Sequence, residues 1–236
     1  MIDQLRVKIF ADGANLEQIL DLGANPHISG FTTNPTLMHK AGLTDYEAFG
    51  RELLAHVTDR PVSFEVFADD ADEMRRQAHK LAGWADNVYV KIPVTTTAGE
   101  SMAPLVRELS DGGVKVNVTA LFTHEQVELM TDAVKDGAPS CISVFAGRIA
   151  DAGIDPVPLM AHNVEIIAAA PSAELIWASP REVLNVVQAD RIGCHIITVT
   201  HDVLGKLELL GKDLGQFSLE TVQMFHRDAQ SAGFTL

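Results

Sequence analysis

Eight short runs rich in Val, Ile and Phe recur along the chain, and polar stretches with helical spacing separate them. Short, continuous apolar runs of this kind are typical of strands that are buried on both faces. The predicted strands lie at roughly 7–11, 28–31, 61–66, 87–92, 114–118, 140–145, 174–178 and 194–199. The clearest predicted helices between them lie at 70–84, 98–111, 123–136, 156–170 and 180–190.

Eight strand–helix units in 236 residues leave roughly 30 residues for each unit, which favours a closed (β/α)8 barrel. A doubly wound open sheet is the alternative, but no Gly-x-Gly-x-x-Gly or P-loop pattern follows a predicted strand. We therefore predict an α/β fold with one domain, a (β/α)8 TIM barrel over 1–236. Two helical segments follow the last strand, at 201–211 and 217–231. One closes the barrel, and the other makes 217–236 a C-terminal helical extension.

Charge and hydropathy narrow the range of partners. The formal net charge is −14 and no basic run occurs, which argues against a nucleic-acid partner. No apolar stretch approaches the roughly 18 residues that a membrane helix needs, and the N-terminus lacks the pattern of a signal sequence. The nine histidines lack the spacing of metal ligands. We expect a cytoplasmic protein with no metal site and no membrane partner.

Lys91 is the most informative single residue, because it ends the fourth predicted strand within an apolar run. A buried amine is costly to desolvate, so we expect it to be paired, altered in its protonation or used chemically. Buried lysines of this kind attack carbonyl groups to form Schiff bases. Lys8 and Lys115 stand near the starts of their strands, so in a parallel sheet they belong to the opposite end from Lys91.

Other polar residues also collect where predicted strands end, which is where barrels carry their functional groups. Taken singly, most have simpler interpretations: Asp12 could cap a helix, and Arg148 and Arg181 could be surface residues. Taken together, they suit covalent amine catalysis on a phosphorylated, polyhydroxylated carbonyl compound. The set comprises Asp12, Thr32, Thr33, Asn34, Glu65, Lys91, Asn117, Thr119, Ser143, Arg148, Ser179, Arg181 and Thr198.

All of these residues except Glu65 and Thr198 fall in six segments whose order, spacing and strand placement resemble the transaldolase family, in its short branch that also contains fructose 6-phosphate aldolases. The resemblance runs from Phe10 to about Phe225. The segments are FADGANL (10–16), TTNPT (32–36), VKIPVT (90–95), VNVTALF (116–122), SVFAGRI (143–149) and ASPR (178–181).

The resemblance implies a role for each matched residue. Lys91 would form the Schiff base, and Asp12 would handle the proton of the hydroxyl released on carbon–carbon cleavage. Glu65 and Thr119 would position a catalytic water. The remaining roles are binding of the dihydroxyacetone part by Asn34, Asn117 and Ser143, and binding of the phosphate by Arg148, Ser179 and Arg181. No cofactor, organic or metallic, is required.

The implied reaction transfers a dihydroxyacetone unit from a ketose phosphate to an aldose phosphate. The donor would be sedoheptulose 7-phosphate or fructose 6-phosphate, and the acceptor glyceraldehyde 3-phosphate or erythrose 4-phosphate, as in the pentose phosphate pathway. Small family members form rings or stacked rings, so the resemblance also implies a homo-oligomer, a pentamer or a decamer.

Two positions separate the transferases of this family from the aldolases. Transferases tend to have Glu at the end of strand three and Phe in the strand-six segment, as Glu65 and Phe145 are here. Three alternatives stay open: a fructose 6-phosphate aldolase-type lyase, a related enzyme of a specialised sugar pathway, and an inactive barrel that binds sugar phosphates. Departures from the family pattern leave the sugar substrate open between the pentose phosphate pathway and such a specialised route; they lie at Gly13, Val144, Ala146, Pro180 and 95–97.

Overall fold

The eight predicted strands form a closed parallel barrel in the computed structural model, which describes residues 2–235. Each strand pairs with its neighbour in sequence, and the eighth returns to pair with the first. The strands are β1 (Lys8–Asp12), β2 (Ile28–Thr32), β3 (Val62–Glu65), β4 (Val88–Pro93), β5 (Val116–Leu121), β6 (Ser140–Val144), β7 (Ala173–Trp177) and β8 (Ile196–Thr200). The predicted (β/α)8 barrel is confirmed.

Helices alternate with the strands and surround the barrel. Between β1 and β6 they are α1 (Leu16–Gly23), α2 (Pro35–Lys40), α3 (Tyr46–His56), α4 (Ala71–Ala82), α5 (Ala103–Asp111) and α6 (His124–Val134). After β6 they are α7 (Ala146–Asp151), α8 (Pro156–Ile167), α9 (Leu184–Arg191), α10 (His201–Leu204) and α11 (Leu214–Ser231). The segment predicted as one helix at 201–211 is divided into α10 and a 3-10 turn, Leu207–Leu209.

The C-terminal helix α11 begins at Leu214 rather than at 217, because Asp213 caps it by accepting a hydrogen bond from the backbone N–H of Gln216. No residue of this helix is buried within the chain. Its exposed apolar side chains are Leu214, Phe217, Leu219, Val222, Met224 and Phe225. None of the helices between residues 2 and 235 is long and apolar enough to cross a membrane.

The barrel interior is packed rather than hollow. Phe10, Ile176 and Ile196 fill its centre, and a larger apolar cluster lies between the strands and the helices. The ring of Phe10 lies against Gly30 on β2, where an added Cβ would come within 2.6 Å of the ring. A glycine is needed at that point, because it lets β2 pass the aromatic ring.

The strand starts and the strand ends carry different lysines, as predicted. Lys8, at the start of β1, pairs with Glu174 on β7 at 2.8 Å. The Nζ atom of Lys115, just before β5, donates to the backbone carbonyl of Asp86 at 2.7 Å. Both lie at the opposite end of the barrel from Lys91, which stands near the end of β4.

Candidate active site

The carboxyl ends of the strands enclose a cavity of about 440 Å³. The family resemblance gives a role to ten residues and singles out Phe145 as an eleventh. Ten of these eleven residues line the cavity: Asp12, Asn34, Glu65, Lys91, Thr119, Ser143, Phe145, Arg148, Ser179 and Arg181. They come from seven of the eight strands and the segments that follow them, because the parallel strands all point their carboxyl ends the same way.

Lys91 and Glu65 form an ion pair at the floor of the cavity. The two residues are register partners on β4 and β3, and the Nζ atom lies 3.0 Å from a carboxylate oxygen. Lys91 is only 7% exposed, and its Nζ also donates to the backbone carbonyl of Thr33 at 2.8 Å. The amine is therefore paired, which is one of the outcomes expected for a lysine in this position.

Asp12, at the end of β1, is held by two neighbours on the β2 side. One carboxylate oxygen accepts from Thr32 Oγ1 at 2.8 Å, and the other from Asn34 Nδ2 at 3.5 Å. Burial raises the pKa of Asp12, while nearby Lys91 and the two hydrogen bonds act in the opposite direction. A raised pKa brings the acid and base forms of this carboxyl closer in free energy near neutral pH, as proton exchange requires.

Asn34 also has a structural task. It is the N-cap of α2, and its side-chain oxygen accepts from the backbone N–H of Leu37 at 2.9 Å. The oxygen is committed to the helix, while the amide nitrogen faces Asp12. Its position is therefore fixed from both sides.

Asn117 is the one of these eleven residues that does not line the cavity in the described structure, and Thr33 of the wider strand-end set does not line it either. It is fully buried on β5, where it donates to Ser63 Oγ at 3.0 Å and accepts from Ser143 Oγ at 2.7 Å. Asn117 thus lies beneath Ser143 and orients its hydroxyl. Thr119, two residues further along β5, has a buried Oγ1 with no hydrogen-bond partner among residues 2–235.

Arginines line the side of the cavity that follows β6 and β7. The Arg148 guanidinium lies over the ring of Phe145, with its central carbon 5.0 Å from the ring centroid. The Arg181 Nε atom donates to both carboxylate oxygens of Asp151, at 3.0 and 3.1 Å. This ion pair raises the pKa of Arg181 and lowers that of Asp151. Arg181 is thus held by a carboxylate, whereas Arg148 forms no ion pair with the residues that the structure describes.

The loops after β6 and β7 touch at Gly147. An added Cβ on this residue would lie 1.5 Å from the carbonyl oxygen of Ser179, so only glycine fits. Ser179 itself has a positive φ of 57°, a strained conformation for a residue with a side chain. This close approach sets the position of the segment that carries Ser179 and Arg181.

Sequence reasoning missed several residues of the site. Lys40, in the last turn of α2, lines the cavity without having been predicted to do so. Tyr46, the first residue of α3, contacts the backbone of Glu65 through its hydroxyl. Ser63 supports Asn117. No local signal reveals these contacts, because each depends on which strands become neighbours.

The fold and the site define the class: a (β/α)8-barrel enzyme with a buried lysine near the end of its fourth strand. A family model described as "Transaldolase/Fructose-6-phosphate aldolase" matches residues 9–236, and the chain belongs to this family. The family and the enzyme class predicted from the sequence are confirmed.

Relatives in archaea and bacteria share more than a third of their residues with this chain. A "probable transaldolase" of Methanococcus maripaludis strain C7 is 39% identical over 85% of this chain and 89% of its own. Another "probable transaldolase", of Thermoanaerobacter sp. strain X514, is 35% identical over 98% of this chain and its own full length.

Solved structures of distant sequence share the barrel. A 2,3-dimethylmalate lyase has a TM-score of 0.56 at 14% identity, covering 99% of this chain and 86% of its own. A putative phosphonomutase from Burkholderia cenocepacia J2315 has a TM-score of 0.56 at 11% identity, covering 89% of this chain and 94% of its own. At these identities the likeness concerns the fold alone.

Proposed function

We propose that this protein is a transaldolase that works through a Schiff base on Lys91. The observation that carries the proposal is the ion pair between buried Lys91 and partly exposed Glu65, 3.0 Å long, on the floor of a cavity that Asp12 also lines. A nucleophilic amine, a proton acceptor beside it and a second carboxyl are the groups that this reaction needs.

The reaction begins when the neutral amine of Lys91 attacks the C2 carbonyl carbon of a ketose phosphate. The C2 oxygen then leaves as water, and an iminium ion forms. Protons must reach that oxygen and leave the nitrogen, and a water molecule between Glu65 and Thr119 would carry them. The buried Oγ1 of Thr119, which has no hydrogen-bond partner among residues 2–235, supports this role, because a buried hydroxyl is costly to leave without a hydrogen bond.

Asp12 promotes the cleavage. Its carboxylate takes the proton of the C4 hydroxyl, and the C3–C4 bond breaks as C4 becomes an aldehyde. The electron pair of that bond moves to C3 and is delocalised into the iminium, which becomes an enamine. The aldose phosphate leaves, and a dihydroxyacetone unit stays on Lys91. Ser143, oriented by Asn117, and Asn34 hold its hydroxyl groups.

The transfer reverses these steps with a second aldose phosphate. The enamine C3 attacks the carbonyl carbon of the acceptor, and Asp12 returns its proton to the new hydroxyl. Water then hydrolyses the iminium and frees both the product ketose phosphate and Lys91. Arg148, Ser179 and Arg181 bind the phosphate of donor and acceptor alike, since both carry it at the end remote from Lys91. Donor and acceptor are those of the pentose phosphate pathway named above.

A fructose 6-phosphate aldolase is the second candidate, and two side chains favour the transferase over it. Glu65 and Phe145 are the residue types that transferases of the family tend to carry, and both line the cavity. Phenylalanine cannot donate a hydrogen bond to a water that would release the bound enamine as free dihydroxyacetone. The enamine therefore waits for an acceptor aldehyde.

The setting that we propose is a cytoplasmic homo-oligomer, a pentamer or a decamer. The exposed apolar side chains of α11 support an assembled state, because such a surface is unfavourable in water. In this proposal the extension at 217–236 covers a neighbouring subunit.

Borohydride reduction followed by peptide mass spectrometry tests the mechanism. With fructose 6-phosphate present, we expect a three-carbon adduct on the peptide that contains Lys91, and none without the sugar. Absence of any adduct with fructose 6-phosphate and with sedoheptulose 7-phosphate would refute the proposed function. An adduct together with rapid release of dihydroxyacetone in the absence of acceptor would favour the aldolase.

A further inference from the structure

The end of β3, at Glu65, extends beyond the neighbouring strand β2. In the described structure β2 and β3 pair at Phe31–Val62 and Thr32–Ser63. The bonds across this edge include those from Phe31 N–H to the Pro61 carbonyl and from Thr33 N–H to the Ser63 carbonyl. The next donor in the ladder would be residue 35, which is a proline and has no N–H. Glu65 therefore faces an edge where β2 has ended.

The hydroxyl of Tyr46 forms the two hydrogen bonds with the Glu65 backbone that a longer β2 would otherwise form. The Glu65 N–H donates to Tyr46 Oη at 2.8 Å, and the Tyr46 hydroxyl donates to the Glu65 carbonyl at 3.1 Å. One phenol hydroxyl can accept and donate at once, so it satisfies both backbone groups that face the vacant edge. Backbone groups at this depth would be costly to leave unpaired.

This arrangement also leaves the Thr33 carbonyl free to accept a hydrogen bond from Lys91. In a regular parallel ladder, the Glu65 N–H would bond to the Thr33 carbonyl, one step beyond the bonds that β2 and β3 do form. Because Tyr46 accepts that N–H, the Thr33 carbonyl accepts from Lys91 Nζ at 2.8 Å instead. The same hydroxyl thus acts on both members of the Lys91–Glu65 pair.

Aromatic packing fixes the ring of Tyr46. It meets Phe67 edge-on, with ring centroids 4.6 Å apart, and Phe64 at 6.0 Å. Burial is the main cause that raises the pKa of this phenol, so the hydroxyl keeps the proton that it donates.

We propose that Tyr46 is a positioning residue, which sets the end of β3 so that Glu65 and Lys91 meet in the geometry that imine formation requires. The proposal rests on the proposed Schiff-base function of Lys91. It adds a group that contacts neither substrate nor reacting atoms and acts only through the Glu65 backbone and the Thr33 carbonyl.

Tyr46→Phe tests this role, because it removes the hydroxyl and keeps the ring. Tyr89→Phe is the matched control: it removes the chain's other tyrosine hydroxyl, from the first half of β4, nearer the opposite end of the barrel. For Tyr46→Phe we expect imine formation, measured by rapid borohydride trapping, to slow about tenfold or more. The KM for the phosphorylated acceptor should stay unchanged, since the residues proposed to bind phosphate follow β6 and β7. Tyr89→Phe should match the unsubstituted protein in the rate of imine formation and in the KM for the acceptor.

The outcomes separate the two proposals. No adduct in the unsubstituted protein would refute the Schiff-base function. An adduct that forms at an unchanged rate in Tyr46→Phe would overturn the role of Tyr46 alone. So would a loss of rate accompanied by an equal rise in KM, because that result would indicate general disruption of the site.

A second measurement applies even if Tyr46→Phe fails to fold. In the Tyr89→Phe background Tyr46 is the one remaining tyrosine, so 3-fluorotyrosine labels it alone. We expect its fluorine resonance to move when Lys91 is reduced onto the three-carbon unit, because Lys91 then loses its bond to the Thr33 carbonyl, the acceptor that the Glu65 N–H would take in a regular ladder. A resonance that does not move would overturn the proposal.

Discussion

Glu65 and Lys91 are register partners on neighbouring strands, and their side chains meet as an ion pair 3.0 Å long in which Lys91 is buried and Glu65 partly exposed. Removing one member of such a pair leaves an uncompensated charge, which is strongly unfavourable away from water. The pair also has a chemical consequence. Lys91 can attack a carbonyl only after losing a proton, and Glu65 lies within reach of that proton.

Lys91→Arg separates the charge of this residue from its nucleophilicity. The guanidinium keeps the positive charge beside Glu65, but it cannot form an imine. We expect transfer to disappear while the protein still folds, as measured by activity and by circular dichroism. Lys8→Arg is the matched control, because Lys8 also pairs with a carboxylate, at the other end of the barrel. Turnover in the Lys91→Arg protein would contradict the mechanism.

Asp12→Asn should change how stability depends on pH. Because burial raises the pKa of Asp12, the folded state binds this proton more tightly than the unfolded state does. The free energy of unfolding therefore falls as pH rises from the ordinary carboxyl pKa of 3.8 through the raised value. An amide has no such proton, so the variant should become more stable relative to the unsubstituted protein as pH rises through this window. It should also lose activity.

Urea titrations across that pH range would measure the effect, and Asp151→Asn offers a control of opposite sign. Arg181 lowers the pKa of the exposed Asp151, so this carboxylate adds stability above its unfolded pKa and loses it as pH falls. Asp151→Asn should therefore be slightly less stable than the unsubstituted protein at neutral pH, and salt should reduce the difference. A stability difference for Asp12→Asn that does not vary with pH would contradict the burial of a titrating carboxyl.

Gly147→Ala should damage phosphate binding before it damages imine formation. The added methyl would overlap the Ser179 carbonyl, so the segment carrying Ser179 and Arg181 must move. We expect the KM for phosphorylated sugars to rise about tenfold or more, while borohydride trapping of unphosphorylated dihydroxyacetone on Lys91 persists. In Gly205→Ala, where the nearest atom would be 3.6 Å away, both should be unchanged. An unaltered KM in Gly147→Ala would contradict the proposed phosphate site.

The strands and the strand-end residues could be predicted because both depend on local pattern. Buried parallel strands appear as short apolar runs, and once their common direction is assumed, the last polar residue of each run must face the same rim. That reasoning placed Asp12, Glu65, Lys91 and Ser143 at one cavity, where the structure also has them.

The remaining contacts depend on partners that are distant in sequence. Tyr46 reaches Glu65 because β2 ends at Thr32 and the next ladder donor would be Pro35, which matters only once the register of β2 and β3 is known. Asn117 has the same residue type and strand position as a substrate ligand would have, yet it lies beneath Ser143. In such cases packing between elements decides the role, and a single sequence does not encode that packing locally.

Phe145→Tyr should convert part of the transfer into release. The new hydroxyl would stand at the cavity wall beside Arg148, where it could hold a water against the enamine. That water can protonate C3, after which hydrolysis frees dihydroxyacetone. With fructose 6-phosphate and no acceptor, we expect release of dihydroxyacetone to increase about tenfold or more, as a positioned proton donor allows. Phe122→Tyr is the control, because Phe122 packs against Phe145, with ring centroids 5.8 Å apart, and is not among the residues that line the described cavity. If both variants release dihydroxyacetone at the rate of the unsubstituted protein while transferring normally, Phe145 does not determine the choice between transfer and release.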